Sequence, residues 1–289
     1  MTDRYAQGSG EPHIGWSADL RVESLSQSRL RSGTHAIDAS QVTGEEAIER
    51  HTKNLNMVTT LGYGFDSNWS VSVRIPVLRR DHLHDLVDDM TGLPSTSEQW
   101  RFTKLGDVQV LARRQTSSND FTNSYAWFGG LKLPTGSTQV MNADGVRAER
   151  ALQPGSGSID VVVGAAGRHA LGFTDALTGQ ASVSAALNKH EEFRPGERIE
   201  VSVGWSHALA NHLGTVLQLN LQRRGHDRGA QAEPDNSGST SISLSPGLTY
   251  GAGHGATLYG YVQLPLYQNV AGFQLVPRNS LAVGWTSDF

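Results

Sequence analysis

Apolar and polar residues alternate singly along most of this chain. Ile14, Trp16, Ala18, Leu20 and Val22 share one parity, with Gly15, Ser17, Asp19, Arg21 and Glu23 on the other. Trp69, Val71, Val73, Ile75 and Val77 oppose Ser70, Ser72, Arg74 and Pro76. The same repeat runs through 55–65, 199–205, 213–221 and 242–250. A period of two puts each parity on one face of a β-strand, whereas a helix repeats near 3.6 residues. The pattern predicts twelve strands, near 13–26, 52–65, 69–84, 100–115, 122–135, 157–168, 173–188, 198–209, 213–226, 239–252, 255–268 and 276–289.

The last of these sets the solvent problem. Leu281, Val283, Trp285 and Phe289 face one way; Ala282, Gly284, Thr286 and Asp288 face the other. A strand with lipid on one side and an aqueous interior on the other needs this pattern. The links add a second signal. Segments 27–51, 85–99, 136–156 and 227–238 read as long loops, while Asp66-Ser67-Asn68, 117–121, Leu171-Gly172, Ala210-Asn211-His212 and Gly253-His254-Gly255 read as tight turns. Long and short links alternate, as short periplasmic turns and long extracellular loops do. The expected fold is an all-β, closed antiparallel transmembrane β-barrel of about twelve strands over 13–289, after an N-terminal periplasmic extension at 1–12.

Composition agrees without deciding. Of the 289 residues, 37 % are hydrophobic, and no apolar run approaches the ~18–20 residues of a membrane helix. A barrel needs only every second wall residue to be apolar. With no Cys there is neither a disulfide nor thiol chemistry, and a net charge of −4 gives no nucleic-acid footprint. The polar start, Met-Thr-Asp-Arg-Tyr-Ala, lacks the apolar core of a signal peptide. An outer-membrane location then implies that a signal has been removed.

Three segments carry a resemblance: Gly130-Leu131-Lys132-Leu133-Pro134-Thr135-Gly136, Gly155-Ser156-Gly157-Ser158-Ile159-Asp160, and Gln263-Leu264-Pro265-Leu266-Tyr267-Gln268 with Gln274-Leu275-Val276-Pro277. With the strand pattern, they make the chain resemble a Gram-negative outer-membrane β-barrel, in particular the phenol meta-pathway-associated outer-membrane transporter family. The resemblance spans roughly 50–289 and implies passage of small molecules. Ser287 departs from it, standing where such terminal strands usually carry an apolar residue.

Candidate chemistry lies on the polar parity. Asp19, Arg21, Glu23, Arg74, Asp107, Arg113, Lys132 and Asp160 are expected to line the lumen, with Arg21, Arg74, Arg113 and Lys132 as a cationic wall. Such a lining either filters solutes by charge or forms ion pairs that fill a narrow bore. His82 and His84 share the parity of Arg74 and could offer two imidazoles to one metal, or simply hydrogen-bond at a polar rim. Trp69, Tyr125, Trp127, Trp205, Trp285 and Phe289 are expected to form an interfacial girdle.

The favoured function is an outer-membrane channel or transporter-like barrel that passes or binds a small solute. The alternatives are a plugged barrel holding a protein partner, for example a redox protein, and a barrel lipid hydrolase. Ser206 and His207 are neighbours on one strand and point to opposite faces, and no nucleophile elbow is present, so the chain reads as a non-enzyme. No cofactor is implied. Outer-membrane lipid, a solute and, through the C-terminal strand, the barrel-assembly machinery are the expected partners; nucleic acid is not.

Overall fold

The structure is a computed structural model that describes residues 13–289 except 89, 93 and 211. The expected extension at 1–12 lies outside the described residues. Thirteen strands form one antiparallel sheet. They are β1 (Gly15–Gly33), β2 (His35–Ala36), β3 (Ala47–Gly64), β4 (Trp69–Val87), β5 (Pro94–Leu105), β6 (Val108–Ser117), β7 (Asn123–Leu133), β8 (Asp160–Ala170), β9 (Asp175–Ala186), β10 (Arg198–Ala208), β11 (Leu213–Arg224), β12 (Ser239–Gly253) and β13 (Ala256–Asp288).

The sheet closes on itself. β13 pairs with β1 in a register that sets Val22 against Val283 and Ser17 against Asp288. The amide of Phe289 donates to the Trp16 carbonyl at 2.8 Å. Closure pairs the first edge with the last, which a membrane-embedded sheet requires.

The wall has twelve staves. β2 is a short appendage on β1. β5 and β6 are one stave, since both pair with β4, above and below Pro76. β13 is two staves, pairing with β12 over its first half and with β1 over its second. Its halves face each other: Ser280 Oγ donates to Gln263 Oε1 at 3.1 Å, and Gln268 Nε2 to the Pro277 carbonyl at 3.0 Å. They meet at a tight link where Gly272 has φ +56°.

Two other details depart from the expected boundaries. The fourth stave breaks at Gly106-Asp107, where the Gly106 amide still holds the Pro76 carbonyl at 2.8 Å. β1, β3, β4 and β5 also run further than the apolar alternation does, so the expected loop at 85–99 shrinks to 88–93. At the outer ends of these strands the outward residues Lys53, Arg79, Asp81, Gln99 and Arg101 are polar, with Leu83 the exception. Backbone pairing continues there after the wall has left the lipid, and the period-two apolar signal stops.

Below that level the outward parity is apolar and exposed, including Leu20, Met57, Leu131, Val203 and Leu219. The short turns are locally encoded. Asp66 Oδ1 accepts from the amides of Asn68 and Trp69, both at 2.7 Å, and Asp120 Oδ1 from Thr122 at 3.1 Å. Trp16, Phe65, Trp69, Tyr125, Trp127, Trp205 and Phe289 lie at this end of the wall, on or beside the outward parity. The girdle is concentrated at the short-turn end, with Trp16 against Tyr63 at 5.0 Å and Trp285 against Phe289 at 6.4 Å.

Candidate functional site: the lumen and its outer vestibule

Inward side chains crowd the bore at membrane level. Asp19, Arg21 and Glu23 stack along β1, with Arg21 Nε 2.9 Å from Glu23. The Tyr259 hydroxyl donates to Asp19 at 2.7 Å. Asp19 is 0 % and Arg21 only 2 % exposed. Arg113, Gln218 and Tyr261 are also buried. A wide aqueous bore would leave such long arms exposed, so the passage is narrow here. Inward glycines make the room: a side chain at Gly247 would strike the Tyr261 ring, and one at Gly284 the Tyr259 ring. Arg74 lies across β4 from Thr60 and Gln109 and is half-buried.

Asp107, Lys132 and Asp160 meet in one ion-paired node. Lys132 Nζ lies 2.9 Å from Asp107 and 3.1 Å from Asp160. Asp107 also accepts from the amides of Gly136 at 3.0 Å and Ser156 at 2.9 Å, and from Ser156 Oγ at 2.9 Å. Ser158 Oγ donates to Asp160 at 2.7 Å, and Lys132 reaches Ser156 Oγ. The break between β5 and β6 thus turns one carboxylate onto both ends of the 134–159 loop. Gly136 and Gly155 pack backbone to backbone beside it, where neither tolerates a Cβ.

From this node the loop folds into the outer half of the barrel. Trp100, on the inward parity of β5, donates Nε1 to the Val146 carbonyl at 3.0 Å and packs with Phe102, Ala148 and Leu152. Arg80 donates to the Leu152 carbonyl at 2.6 Å and to Asn54 Oδ1 at 2.8 Å. Gln153 stitches the loop to itself through the Val140 amide at 2.9 Å and the Ala148 carbonyl at 2.8 Å.

His82 and His84 lie on the inward face beside Trp100, their rings 5.5 Å apart and nearly perpendicular. Thr52 Oγ1 is 2.8 Å from His82 Nδ1. His84 sits between Glu98 at 3.1 Å and Glu149 at 3.8 Å. No cluster of three or more metal-ligating side chains occurs among the described residues. His82 is hydrogen-bonded to Thr52 and His84 to Glu98 at this rim.

That rim is acidic. Glu49 accepts from the Leu275 amide at 3.1 Å, and Glu45 from Asn236 at 2.6 Å. Burial, then the charges of Glu233, Glu49 and Glu98, push the Glu149 carboxyl up to about 8. Its side chain keeps 40 % of its surface open to the vestibule, but the wall and folded-in loops enclose it. Burial and the nearby Glu45 and Glu46 raise Glu233 as well. A raised carboxyl holds its proton below its pKa and gains negative charge above it. Raising the pH from about 6 to about 9.5 should therefore shift the reversal potential in a salt gradient toward cation selectivity. Glu149→Gln should flatten that shift; an unchanged pH response would count against this carboxyl.

The eight charged residues expected to line the lumen fall in two groups. Asp107, Lys132 and Asp160 form the loop node, while Asp19, Arg21, Glu23, Arg74 and Arg113 belong to the wall around the narrowed bore. Arg80, Arg198 and Arg224 join the wall beyond the expected set. Arg80 continues the parity of Arg74, and Arg198 lies directly across from Arg224 at the outer ends of β10 and β11. That parity signal was available. Glu149 and Glu233 had none, because their segments have no period.

No family model matches the sequence, and no curated protein matches it. Solved structures do resemble the fold. An outer membrane channel from Pseudomonas putida F1 superposes with a TM-score of 0.71 at 11 % identity, over 100 % of both chains. The toluene transporter TodX of P. putida gives a TM-score of 0.50 at 7 % identity, covering 95 % of this chain and 90 % of that one. At such identities the likeness is one of fold: a closed antiparallel barrel of the outer-membrane type.

Proposed function

We propose that this chain is an outer-membrane channel or transporter-like barrel that admits a small solute through a narrow, charge-lined lumen. The observation that carries this reading is the 134–159 loop. It lies inside the wall, pinned at both ends by Asp107 and against Trp100 and Arg80, and so narrows the entry without leaving the barrel. A solute passing it would meet the acidic rim first. Below lie Arg80, Arg198 and Arg224, then Arg21, Arg74 and Arg113 with Asp19 and Glu23 as counter-charges. Lys132 and Asp160 act through the node that sets the loop. The whole-chain superposition on an outer membrane channel supports the same reading.

A second reading rests on the buried arms of Arg21, Arg113 and Gln218, which suit a barrel plugged by its own side chains that holds a protein partner. Single-channel recording in planar bilayers separates the two. A small, reproducible conductance is expected; complete absence of current at every voltage, with the barrel shown folded, would overturn the channel reading and leave the plugged one.

A further inference from the structure

The lipid-facing wall carries a cation where an apolar residue belongs. Arg113 points inward on β6, so Arg114 points out. In the strand register Arg114 stands between Trp69 on β4 and Trp127 on β7, in one row across three strands. Its guanidinium lies 5.7 Å from the centre of the Trp69 ring. Among the described residues, Arg114 has no hydrogen bond or ion pair to an acidic side chain.

The row borders a groove of about 750 Å³. Its chemistry changes with depth. Toward the short turns it is lined by Asn68 and Thr116, at the row itself by the two indoles and Arg114, and toward the membrane centre by Ala112 and Gly129. Ala112 and Gly129 face each other across β6 and β7, and their small size makes the concavity. A side chain at Gly129 would meet only ordinary contacts at 3.7 and 3.8 Å, so the groove is open space rather than a tight packing seam.

Polar, then cationic and aromatic, then apolar is the order of a phospholipid read from headgroup to acyl chain. We propose that this groove binds one phospholipid of the periplasmic leaflet, its phosphate on Arg114. The short turns at 65–68 and 118–122 place the row at the periplasmic interface. An uncompensated Arg on a lipid face is costly toward the midplane and tolerable at an interface, where a phosphate supplies a charge-assisted partner. The indoles hold the interface level and share the cation's field. The apolar floor selects a lipid over free phosphate.

Native mass spectrometry of the detergent-folded barrel mixed with phosphatidylglycerol tests this. The unmodified protein should retain one lipid under activation, and excess inorganic phosphate should not displace it. Arg114→Gln should lose that lipid. Gly129→Leu, which fills the groove and keeps the charge, should lose it too. Arg223→Gln, which removes an outward cation from the other end of the wall on β11, should keep it. Heat-modifiable gel migration confirms that each variant is folded before it is scored. Retention by folded Arg114→Gln or by folded Gly129→Leu at the native level would overturn the proposal, as would displacement by inorganic phosphate.

Discussion

Val203→Arg should block assembly of the barrel, while Ser182→Arg should leave it folded. The two positions sit on neighbouring strands, β10 and β9, but on opposite faces. Val203 is 57 % exposed, on the outward parity between Val201 and Trp205. An arginine there meets hydrocarbon and costs about 2–4 kcal/mol near the bilayer midplane. Against a total stability of about 5–15 kcal/mol, and with insertion and folding coupled, that penalty falls on the assembly step itself. Ser182 points inward, half-buried, directly across from Glu200, which offers a new guanidinium a partner. Ser202, the immediate inward neighbour of Val203, is a poorer control because it is 6 % exposed and a long arm would overpack it. Heat-modifiable migration after refolding into vesicles reads the outcome. Equal folded fractions for Val203→Arg and Ser182→Arg would contradict the assignment of faces.

Asp107→Ala should free the 134–159 loop from the bore. Asp107 has a 9 % exposed side chain and accepts from Lys132, two backbone amides and Ser156 Oγ. Removing one partner from a buried ion pair costs about 3–5 kcal/mol, because the remaining donors stay buried without it. Lys132 keeps Asp160, so the loss falls mainly on the Gly136 and Ser156 amides, which are the two ends of the loop. The wall, closed by twelve ladders, should survive. In planar bilayers the variant should show larger mean conductance and more frequent current fluctuations than the parent, with the apparent melting temperature of the folded band lowered. A quiet channel of unchanged conductance would mean that the loop is held by Trp100 and Arg80 alone.

Legibility followed the solvent. Where the wall meets lipid, every second residue must be apolar, so Leu55, Val71, Val203 and Leu219 announced their strands and faces without help. Where the same strands rise above the lipid, both faces meet water. Lys53, Arg79 and Arg101 take outward positions there, and beyond them β3, β4 and β5 gain 47–51, 85–87 and 94–99, stretches without an apolar period. The segments singled out for their resemblance have a physical role in the fold. Gly130–Gly136 and Gly155–Asp160 supply Lys132, Ser156, Ser158 and Asp160 to the node, and Gly136 and Gly155 to the close approach beside it. Their spacing could not show that Asp107, some twenty-five residues upstream of Lys132, would join them.

The sequence alone determined the solvent of each face and the antiparallel staves with their number. These follow from local periodicity and turn chemistry, which act between neighbours in the chain. The tertiary structure alone decided what fills the barrel: a loop folded inward, a carboxylate rim around His84, and a bore narrowed by Arg21, Arg113 and Tyr261. It also decided that Arg114 stands between two indoles over a groove. Those arrangements depend on register and closure, which bring residues far apart in the chain to one level of the wall, and no period along the chain encodes that height.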